Sequence, residues 1–395
     1  MYYTNAAATA ALIADTHTFR SALVFADGRV CTGDTVGRWT AGHALTTDDT
    51  LQIGAVLARR AEITLHDAAW IPAKGDSFRL YIWPTDLDGS ITPAACTHRV
   101  LSLFTHAQLA AGADLPIGGE LIPMGRYTVR RVRVTRSTAQ LIAYDGLQAA
   151  ADTPYTTDLT FPAMSDEVMA DIASLLGLAG TVGQDAGHLR TSGREYVLTA
   201  DGERVRVSAD YRFTITAKPE GSCADVLGHI AAVYGGNAIT DREGRLTTRF
   251  YTAGQTSGLN ETHIDDPEVA DEDVYVSTLI CTVSDDATYT GNVSGGVRNA
   301  RPLTIETVSP YMTKARFDDL CSELRHENLI WRPADLRWRL GDPRHDLGDR
   351  PNGVPYWDAS GQKRDCGILI TDITYDFDGG LMCDISSAGD TGGDL

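Results

Sequence analysis

Carboxylates are the residues of this chain with the most evident capacity for chemistry. The run "DDPEVADED" (265–273) sets Asp265, Asp266, Glu268, Asp271, Glu272 and Asp273 within nine residues. Such a run can hold a hard cation or supply the paired acid and base of glycoside hydrolysis. It lacks the central glycine and the alternation of a calcium loop, and separation along a chain does not identify a carboxylate pair. A solvated surface loop is the plainer expectation. "DFDGG" (376–380) offers Asp376 and Asp378 as a metal turn, but two acids do not make a site, and Gly379-Gly380 favours a tight reversal. Ten histidines are scattered with no close metal-ligand spacing. His98 and His106 flank an apolar stretch, and His229 lies inside a helical pattern; structural roles fit all three. There is no phosphate-binding glycine loop, no HExxH and no GxSxG with usable partners. The sequence therefore assigns no catalytic, cofactor-binding or metal-binding residue, and no cofactor.

The elements that would carry such groups are mostly strands. "LQIGAVLARRAEITLHD" (51–67) and "DSFRLYIW" (76–83) mix β-branched and aromatic residues around a turn. In "RYTVRRVRVTR" (126–136), Tyr127, Val129, Val132 and Val134 alternate with arginines, which predicts half-buried strands with a solvated basic face. Helical spacing follows in "SDEVMADIASLLGL" (165–178), with Ser165 expected as N-cap and Val168, Met169, Ile172, Leu175 and Leu176 as the apolar stripe. "SCADVLGHIAAVYGG" (222–236) repeats the design, with Ser222 and Asp225 as a capping box and Gly235-Gly236 as the stop. Hairpins are expected at Asp201-Gly202 and Glu243-Gly244. Residues 254–273 read as a polar surface loop. Residues 309–328 read as an amphipathic helix with Ala315, Leu320 and Leu324 inward. The last seventy residues return to strands and turns, as a small antiparallel unit of their own. The expected fold class is α+β, strand-dominated, with several β-barrel-like or sandwich domains around a mixed α/β middle region.

Composition narrows the classes further. At 395 residues, two to four domains are expected. Fifty-three acids against 34 bases give a net charge of −19, a surface that repels phosphate and argues against sequence-specific nucleic-acid binding. A pore with an acidic wall would have a different use for that charge, since it would not trap nucleic acid in transit. Seven dispersed cysteines with no CxxC pair read as buried free thiols made in a reducing cytoplasm. No apolar run is long enough for a membrane span. The opening residues lack a basic leader region and carry Asp15 where an apolar segment would continue, so they read as an N-terminal arm and not a secretion signal.

One motif stands apart. "RWRLGDPRHDLGDRPNGVPYW" holds Gly341-Asp342-Pro343 and Gly348-Asp349, two tight-turn elements, ahead of "CGILITDITYDFDGGLMCDISSAG". This pattern resembles the end of the hub domain of phage and prophage tail proteins. Four other segments agree in order: "IGAVLARRAEITL" (53–65), "IPMGRYTV" (122–129), "LIAYDGLQAAADTPY" (141–155) and "CADVLGHIAAVYGGNAITDREGRL" (223–246). The resemblance implies the baseplate hub of a phage tail or related injection machine. It implies a homotrimer whose two barrel-like domains per chain form a pseudo-sixfold ring under the tail tube. The implied partners are the distal tail or tube protein ring, the tape-measure protein and the tip or receptor-binding proteins, with DNA present only in transit. The implied location is the virion tail, after synthesis in the bacterial cytoplasm. Because the chain stops just past the hub-like hairpin, no attached hydrolase is expected and no enzymatic activity is carried over.

On this reading the domains are coarse: 1–143, a first β-rich hub domain with an N-terminal arm; 144–250, the mixed α/β middle; 251–328, an acidic loop with a strand and helix region; and 329–395, a C-terminal β unit completing a tube-like domain. They are allowed to be discontinuous. Two alternatives stay open: a cell-wall or carbohydrate-active hydrolase using acidic residues such as Asp265 or Asp271, and a receptor-binding tip module.

Overall fold

Alternation of apolar and polar residues produces the first strands, and their register builds one sheet. The computed structural model describes residues 4–14, 18–47, 50–66, 70–85, 93–104, 109, 115–119, 121–181, 196–198, 204–206, 212–249, 256–258, 263–293, 299–327, 330–358 and 360–389. A helix, α1 (Ala6–Ile13), occupies the N-terminal arm, with the Asn5 carboxamide accepting from the Ala8 N–H at 3.0 Å. The same carboxamide donates to the Gly118 carbonyl at 2.7 Å and so anchors the arm. Seven strands follow: β1 (Thr18–Phe25), β2 (Val30–Thr32), β3 (Val36–Ala44), β4 (Arg60–His66), β5 (Ser77–Thr85), β6 (Ile122–Val134) and β7 (Thr138–Tyr144). Their inward residues, among them Phe19, Trp39, Ile63, Phe78, Tyr127 and Leu141, form a continuous core. Strand β5 reads as an unbroken apolar run because both its faces are covered: Tyr81 and Trp83 pack in a separate cluster with Ala22 on its second side. At the end of β6 the pairing slips between Val129 and Arg131. That irregularity sets Arg130 and Arg131 side by side in the exposed part of the strand. Val134, expected to be half-buried, is 54% exposed because this end of the ribbon lies beyond the core.

The middle region is helical where the spacing requires it. Helix α2 (Ser165–Leu175) starts one residue earlier than expected: Met164 is the N-cap, its N–H bound by Glu167 at 2.8 Å. Ser165 instead turns inward, its hydroxyl bonded to the Tyr234 hydroxyl and accepting from the Phe213 N–H at 3.2 Å. Helix α3 (Cys223–Tyr234) has the expected Ser222–Asp225 capping box and ends on Gly235 at φ 83°. Its next two strands, β8 (Asn237–Thr240) and β9 (Leu246–Arg249), make the expected hairpin, with Gly244 at φ 81°. The expected Asp201-Gly202 turn lies outside the described residues; the flanking segments Tyr196–Leu198 and Arg204–Arg206 pair antiparallel.

Helix α3 meets the first unit in a close backbone approach of Gly228 to Gly54. A Cβ at Gly228 would lie 2.5 Å from the Gly54 carbonyl oxygen, and one at Gly54, whose φ is +88°, would lie 2.9 Å from the Gly228 oxygen. Gly228→Ala in an exposed helix would stabilise by about 1 kcal/mol. Here it is expected to destabilise by about 1–3 kcal/mol, because neither backbone can yield. Urea unfolding of the variant measures the sign.

The remaining chain adds strands β10 (Ile264–Val269), β11 (Asp273–Ser284), β12 (Ala287–Asn292) and β13 (Ala300–Val308), then α4 (Lys314–Glu327), β14 (Ala334–Trp338), β15 (Arg350–Trp357), β16 (Lys363–Gly367), β17 (Asp372–Phe377) and β18 (Leu381–Ser387). The acidic stretch expected to be a loop is in large part a strand: β10 pairs antiparallel with β14. In α4 the inward stripe is Phe317, Leu320, Cys321 and Leu324, while Ala315 is exposed. Strands β11 and β13 run parallel, with β12 on the other side of β11.

The C-terminal strands are divided: β15 and β16 pair in a small sheet, whereas β14, β17 and β18 join the large one. Strand β17 pairs along its length with β3, so one 11-stranded sheet runs β10–β14–β18–β17–β3–β4–β7–β6–β5–β1–β2. Trp39 of β3 stacks on Phe377 of β17 with ring centroids 5.4 Å apart, sealing the seam. The fold is a strand-dominated α+β arrangement with one large antiparallel sheet and several smaller ones. All seven cysteines are free thiols, five of them buried. Among the described residues no helix is long and apolar enough to cross a membrane.

Candidate functional site

The most concentrated ionisable chemistry surrounds the "GDPRHDLGD" loop (341–349), whose partners come from distant stretches of the chain. The loop is rigid by its own bonds. The Asp342 carboxylate takes the Arg344 N–H and Nε, each at 2.9 Å. Asp349, fully buried, accepts the Asp346 N–H at 2.8 Å, and Gly348 supplies the left-handed turn at φ 80°. Tyr375 of β17 donates to the loop, 2.7 Å from the His345 carbonyl.

Alternate carbonyls of the loop then face arginines from the middle of the chain. Arg242, in the β8–β9 turn and only 6% exposed, donates to the Pro343 and His345 carbonyls. Arg249 of β9 donates to the Leu347 carbonyl at 2.9 Å. The Asp346 carboxylate receives Arg242 Nε at 3.2 Å, with Arg59 at 3.8 Å. Arg59 in turn donates to the Thr240 carbonyl at 3.1 Å. Burial pushes the Asp346 carboxyl up, but Arg242 and Arg59 outweigh it and hold the group well below the usual carboxylate range. Burial and the neighbouring Arg59 drive His43 well below the ordinary imidazole value, so it is neutral at pH 7. Residues 59, 242, 249 and 346 thus tie three distant stretches of chain together, with neutral His43 beside them. No nucleophile faces a base in this cluster; its geometry makes a lock and no reaction follows from it.

Asp145, from the "AYDGL" segment, borders the same cluster. It accepts the Leu147 N–H at 3.1 Å and the Thr240 hydroxyl at 2.6 Å, and burial pushes it up to about 6. Its folded value lies above the unfolded one, so folding favours the protonated form. The stability it contributes is present below about pH 4 and is lost as pH rises through about 6. Asp145→Asn is expected to lack this dependence, so its thermal midpoint should gain on the wild type between pH 4 and pH 7, read by differential scanning calorimetry.

The acidic candidates are committed elsewhere. Asp265 is ion-paired with Arg339, and Asp273 with Arg332 at 2.8 Å. Asp376 accepts both Arg38 Nε at 3.0 Å and Arg38 Nη2 at 2.6 Å. Its neighbour Asp378 stands exposed in the turn, where Gly379 at φ 74° makes the expected reversal. Among the described residues no three His, Cys, Asp or Glu side chains gather as a metal-ligand set. His98 opens a short helix capped by Thr97. His229 is half-buried edge-on against Tyr311, and burial lowers its pKa. His106 lies outside the described residues. A shallow hollow of about 340 Å³ lies on the outward face of β3, β4, β7 and β6, lined by Arg38, Glu62, Arg131, Arg133 and Gln140 among others.

With this geometry in hand, the fold has counterparts among solved structures. The chain shares the fold of the tail protein from Neisseria meningitidis MC58, with a TM-score of 0.52 and 11% identity over 94% of this chain and 97% of that one. The 43 kDa tail protein of prophage MuSo2 from Shewanella oneidensis is similar over 93% of this chain and 98% of its own, at 15% identity and a TM-score of 0.47. No family model and no curated protein sequence matches the chain.

Proposed function

We propose that this chain is a structural tail protein of the hub type, a trimer joining the tail tube to the tip of a phage tail or related injection machine. The observation that carries the reading is the nearly end-to-end likeness in fold to the Neisseria tail protein. The order of the five hub-like segments supports it. So does the large sheet, in which C-terminal strands 372–377 and 381–387 complete a layer begun by residues 18–144. The first hub domain is then discontinuous, the stretch 1–143 joined by part of 329–395, with 144–250 and 251–328 inserted. A ring of three such chains surrounds a channel through which tape-measure protein and DNA pass after host contact. Its partners are the distal tube ring above and the tip or receptor-binding proteins below. Function on this account is mechanical, with no catalytic step. Negative-stain electron microscopy of the purified chain, alone and with tail-tube protein, is expected to show a threefold ring on the tube end. Particles that never join a ring or tube would count against the reading.

A further inference from the structure

The strand register lays out the charges on the outward face of the large sheet in order, and its β10–β14 end and its β6 ribbon carry opposite sign. At one end β10, β14 and β18 bring Glu268 opposite Asp335, which neighbours Ser386, and Asp265 opposite Arg337, which neighbours Asp384. Asp265 and Asp384 have arginine partners, Arg339 and Arg337. Glu268 and Asp335 have none among the described residues, although they sit directly across from each other. Like charges in cross-strand register cost stability. The centre of the face is self-neutralised by Arg38–Asp376 and Arg60–Glu62. Farther along, with β5, β1 and β2 still beyond it in the sheet, β6 presents Arg131, opposite Ile142, and Arg133, opposite Gln140, on the same face. Both are exposed, and neither makes an ion pair or hydrogen bond among the described residues. Strand β5 pairs with β6 as far as Thr128, and the Gly75–Asp76 turn binds both backbone groups of Val129; no strand pairs with that edge of β6 past Val129 among the described residues.

We propose that this face is a self-docking surface: the Arg131–Arg133 ribbon of one copy seats against the Glu268–Asp335 pair of the next. The inference rests on the ring reading above and names the contact that closes the ring. A second copy fits because the molecule carries both halves of the contact, neither of them ion-paired among the described residues; Asp335 accepts only the Ser386 hydroxyl at 2.5 Å. Because the two halves are unlike, a single contact per interface is head-to-tail, the type that generates rings when the rotation closes, whereas two reciprocal contacts would make a closed dimer. Nucleic acid is a poorer occupant, since a chain of net charge −19 repels it. Attraction of this kind weakens as salt rises.

The test uses the full chain and charge reversal on exposed strand positions. R131E/R133E and E268R/D335R are each expected to weaken self-association about tenfold or more, measured by sedimentation velocity at low salt. The quadruple variant carrying all four changes is expected to restore it, which misfolding of a single variant would not do. R131K/R133K, keeping the charge, is expected to assemble like the wild type. A wild-type ring indifferent to both reversals overturns this surface and leaves the ring reading standing. A wild-type chain that stays monomeric overturns both. Rings unchanged by the reversals with loss of a DNA or tail-partner complex would reassign the arginines to that partner.

Discussion

Asp346→Ala is expected to destabilise the protein by about 3–5 kcal/mol, the cost of leaving buried charge without its partner. The reason lies in Arg242. Its guanidinium is held inside by the Asp346 carboxylate and by two loop carbonyls, and only the carboxylate supplies the compensating charge. Arg242→Ala should be comparably damaging, because it strips donors from the Pro343 and His345 carbonyls. The double variant should lose much less than the sum, since the two residues act on each other. Urea unfolding of all three gives the coupling. The pH dependence has a definite sign. The folded value of Asp346 lies below its unfolded one, so its stabilisation is complete above about pH 4 and is lost as pH falls through the folded value. Asp346→Asn should be less stable than wild type at pH 7, and that difference should shrink in acid.

Phe377→Ala is the second large effect, at about 3–5 kcal/mol. Phe377 is 4% exposed and stacks on Trp39, which is fully buried, at the seam where β17 joins β3. Removing the ring opens a cavity between the first and last strands of the same layer. The damage should be local first. Limited proteolysis is expected to cut within the C-terminal hairpin before the core of β4–β7, whereas in the wild type the hairpin is protected by pairing on both sides. Uniform loss of protection across the chain would mean that the seam is not a separable element.

Local features were legible in the sequence wherever a local rule decides them. The Ser222–Asp225 capping box, the Gly235 stop, the Glu243-Gly244 hairpin and the alternation of Leu381, Cys383 and Ile385 inward follow from spacing and turn chemistry alone. Ser165 was misplaced by one residue because its hydroxyl found Tyr234 across the core, a tertiary partner that outweighs cap preference. Ala315 is exposed because Phe317, a larger apolar residue two positions on, sets the phase of α4. The acidic stretch 265–273 read as a loop because Pro267 and its carboxylates are poor strand formers. An edge strand tolerates both.

The charged lock was not legible at all. Arg59 lies in a strand-like stretch and Arg242 next to the Glu243-Gly244 turn. Nothing in residue type says that either points inward; only the convergence of positions 59, 242 and 346 does. The joining of β17 to β3 was hidden for the same reason, since pairing across more than 300 residues leaves no periodic trace in either strand. The lock binds both ends of the chain to its middle, and the seam binds one end to the other.

The mass of the purified chain in solution tests the mechanical account most directly. Each chain weighs 42.5 kDa. Native mass spectrometry at low salt is expected to give a species of three chains, alone or capping tube protein. A single-chain mass at every concentration, with no tube complex formed, would contradict it.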